Sequence, residues 1–368
     1  MEQHTEPSAA DIEALDREAE GTNGVNISRQ TVTKHTEHLP EEQKLLLRWW
    51  YTIARDNRWR PNDLATFSGL DYTTLHRVWH DRYVNNATGE RVPLTSLCKK
   101  LEAAKKTYLQ DHPAARIGDH PFVNTSVWDR IDWLCKKVAK RKKIGFIYGE
   151  SHIGKTECLL NYQRHNNHGM TAYFELPPSG GVQFMTRRLA KSLYVGGNQS
   201  FDKTLEGIVA AVDSDMLIIG DQVHRIFYSY QHSSVMRCLD TLMYIHDQTH
   251  CPMVLCGTNV WRDELREGKL KQYLKQLRRR GLYEIQLPAA APFDDLVLIA
   301  KEYGLDAPEG EALNLASAIA RNDGLAMYFT RLQDAQEMAE KKSTSLTWDH
   351  FAKAVTIAEK MANGPDRK

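Results

Sequence analysis

No stretch of the 368 residues approaches the roughly 20 consecutive apolar residues that a bilayer-crossing helix requires. The first 21 residues, MEQHTEPSAADIEALDREAEG, are acidic and lack the apolar core of a secretory signal. Six cysteines (98, 135, 158, 238, 251 and 256) form no CxxC pair, and fifteen histidines include no HExxH, so zinc spacing is absent. Net charge is almost missing as well: 48 Lys and Arg face 47 Asp and Glu. That balance excludes a uniformly basic, histone-like chain. A hydrophobic share of 42% excludes a wholly disordered one. These absences lead us to expect a cytoplasmic protein with reduced thiols, no structural metal and no membrane partner.

What is present is unevenly distributed. Residues 1–40 carry eight acidic against three basic side chains and few large apolar ones, so a disordered acidic tail is expected, with at most a short helix over 9–20. From Glu41 the apolar residues Leu45, Leu46, Trp49, Trp50 and Ile53 recur at helical spacing. PNDLATF, a turn at 68–70 and DYTTLHRVWHDRY with Asp71 as N-cap then match a helix-turn-helix pattern within 41–110. Residues 111–126 are rich in Pro, Gly and polar side chains and are expected to form a linker. Beyond it, IGFIY, TAYFEL, MLIIG, PMVLCG and LYEIQL are strand-like runs separated by helical stretches. This alternation predicts an α/β core over 127–290, a parallel sheet covered by helices. After Pro292 only helical patterns remain, predicting a terminal helical unit over 291–368. The charge polarises accordingly, with the basic excess confined to 41–290.

The strongest chemical signal is GESHIGKT, directly after an apolar strand and before a helix. It satisfies GxxxxGK[ST], the pattern of a loop whose backbone N–H groups cradle phosphates. Gly149, Ser151, His152, Ile153 and Gly154 would wrap the phosphates. Lys155 would supply charge, Thr156 a hydroxyl to Mg²⁺, and Glu157 would complete the nucleotide-binding set. A glycine-bearing turn without a ligand is the bland alternative. The second signal is DMLIIGDQVHRI, an apolar strand ending in Asp221, where a carboxylate facing Mg²⁺ belongs. The next residue is Gln222, which can orient a water but cannot take its proton. Thr258 and Asn259, after the next strand, are placed to reach a terminal phosphate, though a plain turn explains them as well. In QLRRRG, one of Arg278, Arg279 and Arg280 is placed to act on a neighbouring subunit's nucleotide, or all three form a solvated helix end.

In this order, YGESHIGKT, LIIGDQVHRI, CGTN and QLRRRG resemble the AAA+ ATPases, and most closely their DNA-transposition branch, the Mu B-, TnsC- and IstB-like proteins. The resemblance covers roughly 41–363. It implies a core with a helical lid, ATP and Mg²⁺ as cofactors, and ATP-driven homo-oligomerisation into a ring or filament on double-stranded DNA. It further implies selection of target sites and stimulation of a transposase. Asp221 would support Mg²⁺, Asn259 or else Thr258 would sense the terminal phosphate, and one arginine of 278–280 would act in trans. Two departures stand out. Gln222 replaces the usual catalytic Glu, which implies slow hydrolysis. Ala326 stands where the lid usually supplies an arginine, with Arg331 further along.

Two segments are candidates for DNA contact. The second helix of the helix-turn-helix is expected to present Tyr72, Thr73, Thr74, His76, Arg77 and His80, with Leu75, Val78 and Trp79 in the core. A protein-docking module is the alternative. In PPSGGVQFMTRRLAKSLY, Arg187, Arg188 and Lys191 cluster within about one helical turn and can neutralise phosphates, with a solvated helix face as the alternative. The run KKVAKRKK (136–143) reads by default as a solvated helix end. Two further functions fit the same residues: a transcription regulator with ATP as a signalling ligand, and a scaffold ATPase that binds no nucleic acid.

Overall fold

The computed structural model describes residues 25, 27, 29–57, 59–85, 87–111, 122–165, 171–179, 181–193, 195, 199–229, 232–268 and 271–363. The expected helix over 9–20 and most of the expected linker fall outside them. Five short strands, β1 (Ile144–Tyr148), β2 (Thr171–Glu175), β3 (Leu217–Asp221), β4 (Met253–Gly257) and β5 (Gly281–Gln286), form one sheet in the order β2-β3-β4-β1-β5. Every neighbouring pair is parallel. β1, β3 and β4 are buried at every position, as continuous apolar runs between two helical layers must be.

One apolar cluster joins Phe146, Ile218 and Leu255 to Met185, Leu189, Leu239 and Trp261 from the helices of one face. The other joins Ile147, Ile219 and Val254 to Ile131, Leu134, Leu159 and Tyr162 from the helices Ser126–Arg141 and Lys155–His165. A parallel arrangement carries all strand C-termini to one edge, and the loops after β1, β3 and β4 meet there. The expected α/β core is what the chain forms, with helices as its most abundant elements.

The four helices Phe293–Glu302, Gly310–Asn322, Leu325–Lys341 and Trp348–Asn363 share a separate core around Tyr328, Leu332 and Phe351. At the other end, the helices Glu41–Asp56, Pro61–Ser68, Tyr72–Trp79 and Thr95–Asp111 close around Trp49, Trp50, Leu64, Leu75 and Trp79. Gly69 takes the left-handed conformation that ends the second of these helices at the turn, and the Asp71 carboxylate caps the next helix through the Thr73 N–H at 2.8 Å. A short hairpin follows, with Val84 bridged antiparallel to Arg91.

Residue 40 is not where order begins. The helix Arg29–Thr36 packs Val32 into the same core, with Val25 and Ile27 also buried. Its sequence, RQTVTKHT, has one apolar residue, and polar contacts help to anchor it. Arg48, 2% exposed, donates to the Thr36 hydroxyl at 3.2 Å and the Thr33 carbonyl at 3.1 Å. The same unit rests on the α/β core through Arg29 and Asp213 at 3.0 Å and through Trp49 Nε1 to the Arg164 carbonyl at 3.3 Å.

Candidate nucleotide-binding site

A pocket of ≈ 390 Å³ opens at the C-terminal edge of the sheet. Its floor is the loop after β1. Gly149 allows the turn, because a Cβ there would sit 3.0 Å from both Ile153 Cδ1 and Leu287 Cβ. Gly154 holds φ +86 and His152 holds φ +68, the left-handed geometry that bends the loop around a concave set of N–H groups. Ser151, His152, Ile153, Gly154, Lys155, Thr156 and Glu157 all line the pocket, as the motif requires. Lys155 Nζ donates to the Gly149 carbonyl at 3.1 Å and to the Glu150 carbonyl. It has no carboxylate partner among the described residues, so its charge is available to a phosphate.

The two expected Mg²⁺ residues come together across 65 positions of sequence. Thr156 Oγ1 donates to Asp221 Oδ2 at 2.6 Å, and the Tyr173 hydroxyl donates to the same oxygen at 3.1 Å. Asp221 is 1% exposed and has no ion pair among the described residues. A buried carboxylate without a cation is costly, and a divalent ion beside Thr156 would relieve it. The site therefore fits Mg²⁺, with the remaining ligands drawn from phosphate and water. No group of three or more His, Cys, Asp or Glu among the described residues offers a self-sufficient metal cage. Burial, then the Asp221 carboxylate, push the Tyr173 phenol well up, so it remains a donor.

Gln222 follows at φ +58 and lines the pocket, its backbone N–H donating to Asp221 Oδ1 at 2.7 Å. His224 and Thr258 line the same wall, and the Thr258 N–H donates to His224 Nδ1 at 3.3 Å. Burial, reinforced by Arg225 and Lys155, holds the His224 imidazole below its ordinary range. Asn259 points elsewhere: its amide donates to the Glu150 carboxylate and its Oδ1 accepts from Gln286 Nε2 at 2.9 Å. Of the two sensor candidates, Thr258 lies on the pocket wall, and Asn259 sits beside it in a chain that runs on to Arg262.

The three arginines differ. Arg280 is tied to Asp247 through two bonds of 2.8 and 2.7 Å, and Arg278 reaches Glu284 at 3.2 Å. Arg279 is exposed and has no ion pair among the described residues. From the lid, Leu325, Ala326 and Phe329 line the pocket, and no lid arginine does. Arg331 instead pairs with Asp334 at 2.7 Å. Phe122, Val123 and Thr125 complete an apolar wall suited to a base.

Sequence reasoning missed Phe122, Val123, Tyr173, His224, Leu325 and Phe329. A polar-tipped Tyr173 in an apolar strand was a signal. Phe122 and Phe329 had none, because they line one pocket only once the C-terminal helices fold back on the core. On the helix Tyr72–Trp79, Leu75, Val78 and Trp79 are buried as expected, and Thr73 and Arg77 are exposed. Tyr72, Thr74, His76 and His80 are half-buried, with His76 5.6 Å from Tyr72 and 4.4 Å from His80 between ring centres. His80 is the helix's C-cap, just past its last helical residue.

A parallel sheet whose first strand runs into a GxxxxGK[ST] loop and then a helix is a P-loop α/β fold. Residues 138–265 match the family described as AAA domain, a span holding the loop, Asp221 and Thr258. No curated protein matches the chain. Similar solved structures include that of Drosophila ORC bound to DNA, at 13% identity and a TM-score of 0.42, covering 69% of this chain and 72% of that one. No helix among the described residues is long and apolar enough to cross a membrane.

Proposed function

We propose that this protein is a cytoplasmic, ATP- and Mg²⁺-dependent ATPase that assembles on duplex DNA and selects target sites for a transposase. The observation that carries the nucleotide half is the Thr156–Asp221 bond at 2.6 Å next to Lys155, which has no carboxylate partner among the described residues. Charge and hydroxyl stand where a terminal phosphate and its metal need them. Mg²⁺ held there would polarise the terminal phosphate. Lys155 and the loop N–H groups bind its oxygens, and Thr258 borders the position of the attacking water. Gln222 orients that water without accepting its proton, and no lid arginine adds charge. The site is thus better at holding ATP than at turning it over, which suits a long-lived assembly. The DNA half is supported by the capped helix-turn-helix, with Thr73 and Arg77 exposed on its second helix.

Electron microscopy of the full chain on long duplex DNA, with and without ATP, tests this reading. Ordered oligomers on arbitrary sequence that need ATP and dissolve with salt are expected. Isolated monomers on DNA with ATP present would sink it. The slow-hydrolysis features also favour a second reading, a helix-turn-helix regulator that uses ATP as a ligand. That protein would show one tight sequence-specific site and no dependence on duplex length.

A further inference from the structure

The helix Gly181–Ser192 leaves β2, an edge strand of the sheet, and has two distinct faces. Met185, Thr186, Leu189 and Ala190 are buried, and Met185 and Leu189 belong to the core cluster under the sheet. Phe184, Arg187, Arg188 and Lys191 stand at i, i+3, i+4 and i+7, the spacing of a single stripe, and all four are exposed. The helix, GVQFMTRRLAKS, contains no acidic residue. None of the three cations has an ion pair among the described residues. Phe184, 46% exposed, stands at the N-terminal end of this stripe, one turn before the first arginine. A ring left in water forgoes burial energy of about 25 cal/mol per Å², and here it adjoins guanidinium groups rather than an apolar patch.

We propose that this stripe is a duplex-DNA contact in which Phe184 wedges into a base step from the minor groove while Arg187, Arg188 and Lys191 hold the flanking phosphates. The chemistry is complementary on both counts. A basic row without ion pairs among the described residues matches a polyanion, and an exposed ring at the end of that row matches a base stack that opens at a cost of a few kcal/mol per step. Seven helical residues span about 10 Å, close to three base-pair rises of about 3.4 Å. Phosphates to one side of the opened step, up to about three base pairs away, therefore lie within reach of the three cations. The consequence is that the protein bends or unstacks the DNA it covers, and favours sequences that deform easily. This inference rests on the DNA-binding reading above and adds to it a wedge and a deformation.

The experiment uses the full chain with ATP and Mg²⁺ on a duplex carrying 2-aminopurine at several positions, whose fluorescence rises on unstacking. Wild type is expected to bind and raise the fluorescence several-fold. Phe184→Ala should keep its ATP affinity and its salt dependence of DNA binding but lose the rise. A variant combining Arg187→Ala, Arg188→Ala and Lys191→Ala should bind less tightly, with the log–log salt slope reduced by about 3. Binding by wild type without any rise, or a full rise with Phe184→Ala, overturns the wedge and leaves DNA binding standing. An unchanged salt slope in the triple variant overturns the phosphate contacts, pointing instead to an acidic protein surface as occupant. No wild-type binding to any duplex removes the DNA reading and the wedge together.

Discussion

The backbone N–H of Leu325 donates to the carbonyl of His152 at 2.9 Å, so the lid helix begins on the phosphate loop itself. The preceding residue, Gly324, holds φ +87, and a Cβ there would fall 2.3 Å from His152 Cβ. The loop residue where many such loops carry glycine is therefore in contact with the lid, and ordering of the loop by phosphate is felt there directly. Gly324→Ala should strain the chain by roughly 1–3 kcal/mol and part the two. The expected result is at least a tenfold rise in the ATP dissociation constant, read by titration with a fluorescent nucleotide. An affinity equal to wild type would show that lid and loop are uncoupled.

The elements that could be read from sequence alone are those whose signal is local. β1 is bounded by its apolar run, and the loop and Asp221 declare themselves because phosphate chemistry demands glycines, Lys and a strand-terminal acid in fixed order. The misses are long-range. Phe122 and Phe329 lie more than 200 positions apart and come to line one pocket only in the folded chain. The helix Arg29–Thr36 looked like tail because its anchoring runs through Arg48 and Thr36, which no hydropathy pattern reports. His76 and His80 looked outward on a helical wheel, yet both are half-buried, their rings 4.4 Å apart in a tilted contact.

Gln222 lies on the pocket wall beside a metal-ready Asp221, its backbone set by the bond from its own N–H to that carboxylate. Replacing it with a carboxylate changes the side-chain terminus and leaves the backbone as it is. Gln222→Glu should raise ATP turnover by about 10²-fold, the lower end for a positioned general base, with ATP affinity little changed. Phosphate release in the presence of DNA measures this. An unchanged rate would move the limit to the missing lid arginine.

Of the three adjacent arginines, Arg279 alone is both exposed and without an ion pair among the described residues. Arg280 is clamped by Asp247, which holds its own carboxyl below the usual range through that hydrogen bond. Arg279→Ala should therefore lower turnover in the assembled protein by about 10³-fold or more, as loss of an arginine supplied in trans does. Nucleotide affinity of the monomer should stay the same. Arg280→Ala should instead loosen the helix Lys271–Arg280 and lower Tm by a few degrees. Equal turnover in wild type and Arg279→Ala would return the role to Arg278.

Two histidines in the α/β core make stability sensitive to mild acid. Burial leads the effects that hold both His224 and His246 below the ordinary 6.5. His246 Nδ1 lies 2.8 Å from the Cys251 carbonyl and donates to it, while His224 Nδ1 accepts from Thr258. Each is neutral in the fold. The unfolded chain takes up protons near 6.5 and the folded chain only at lower pH, so the folded state is favoured above that value. This stability is lost as pH falls below it. Protonation of His224 Nδ1 also breaks the bond that fixes Thr258 on the pocket wall. Thermal melts at about pH 7.5 and 5.5, above the range of ordinary carboxylates, should show Tm falling by several degrees. His246→Gln should start lower and fall less, and His224→Gln should lessen the fall in the same way. A Tm independent of pH across this window would mean that neither imidazole is held neutral by the fold.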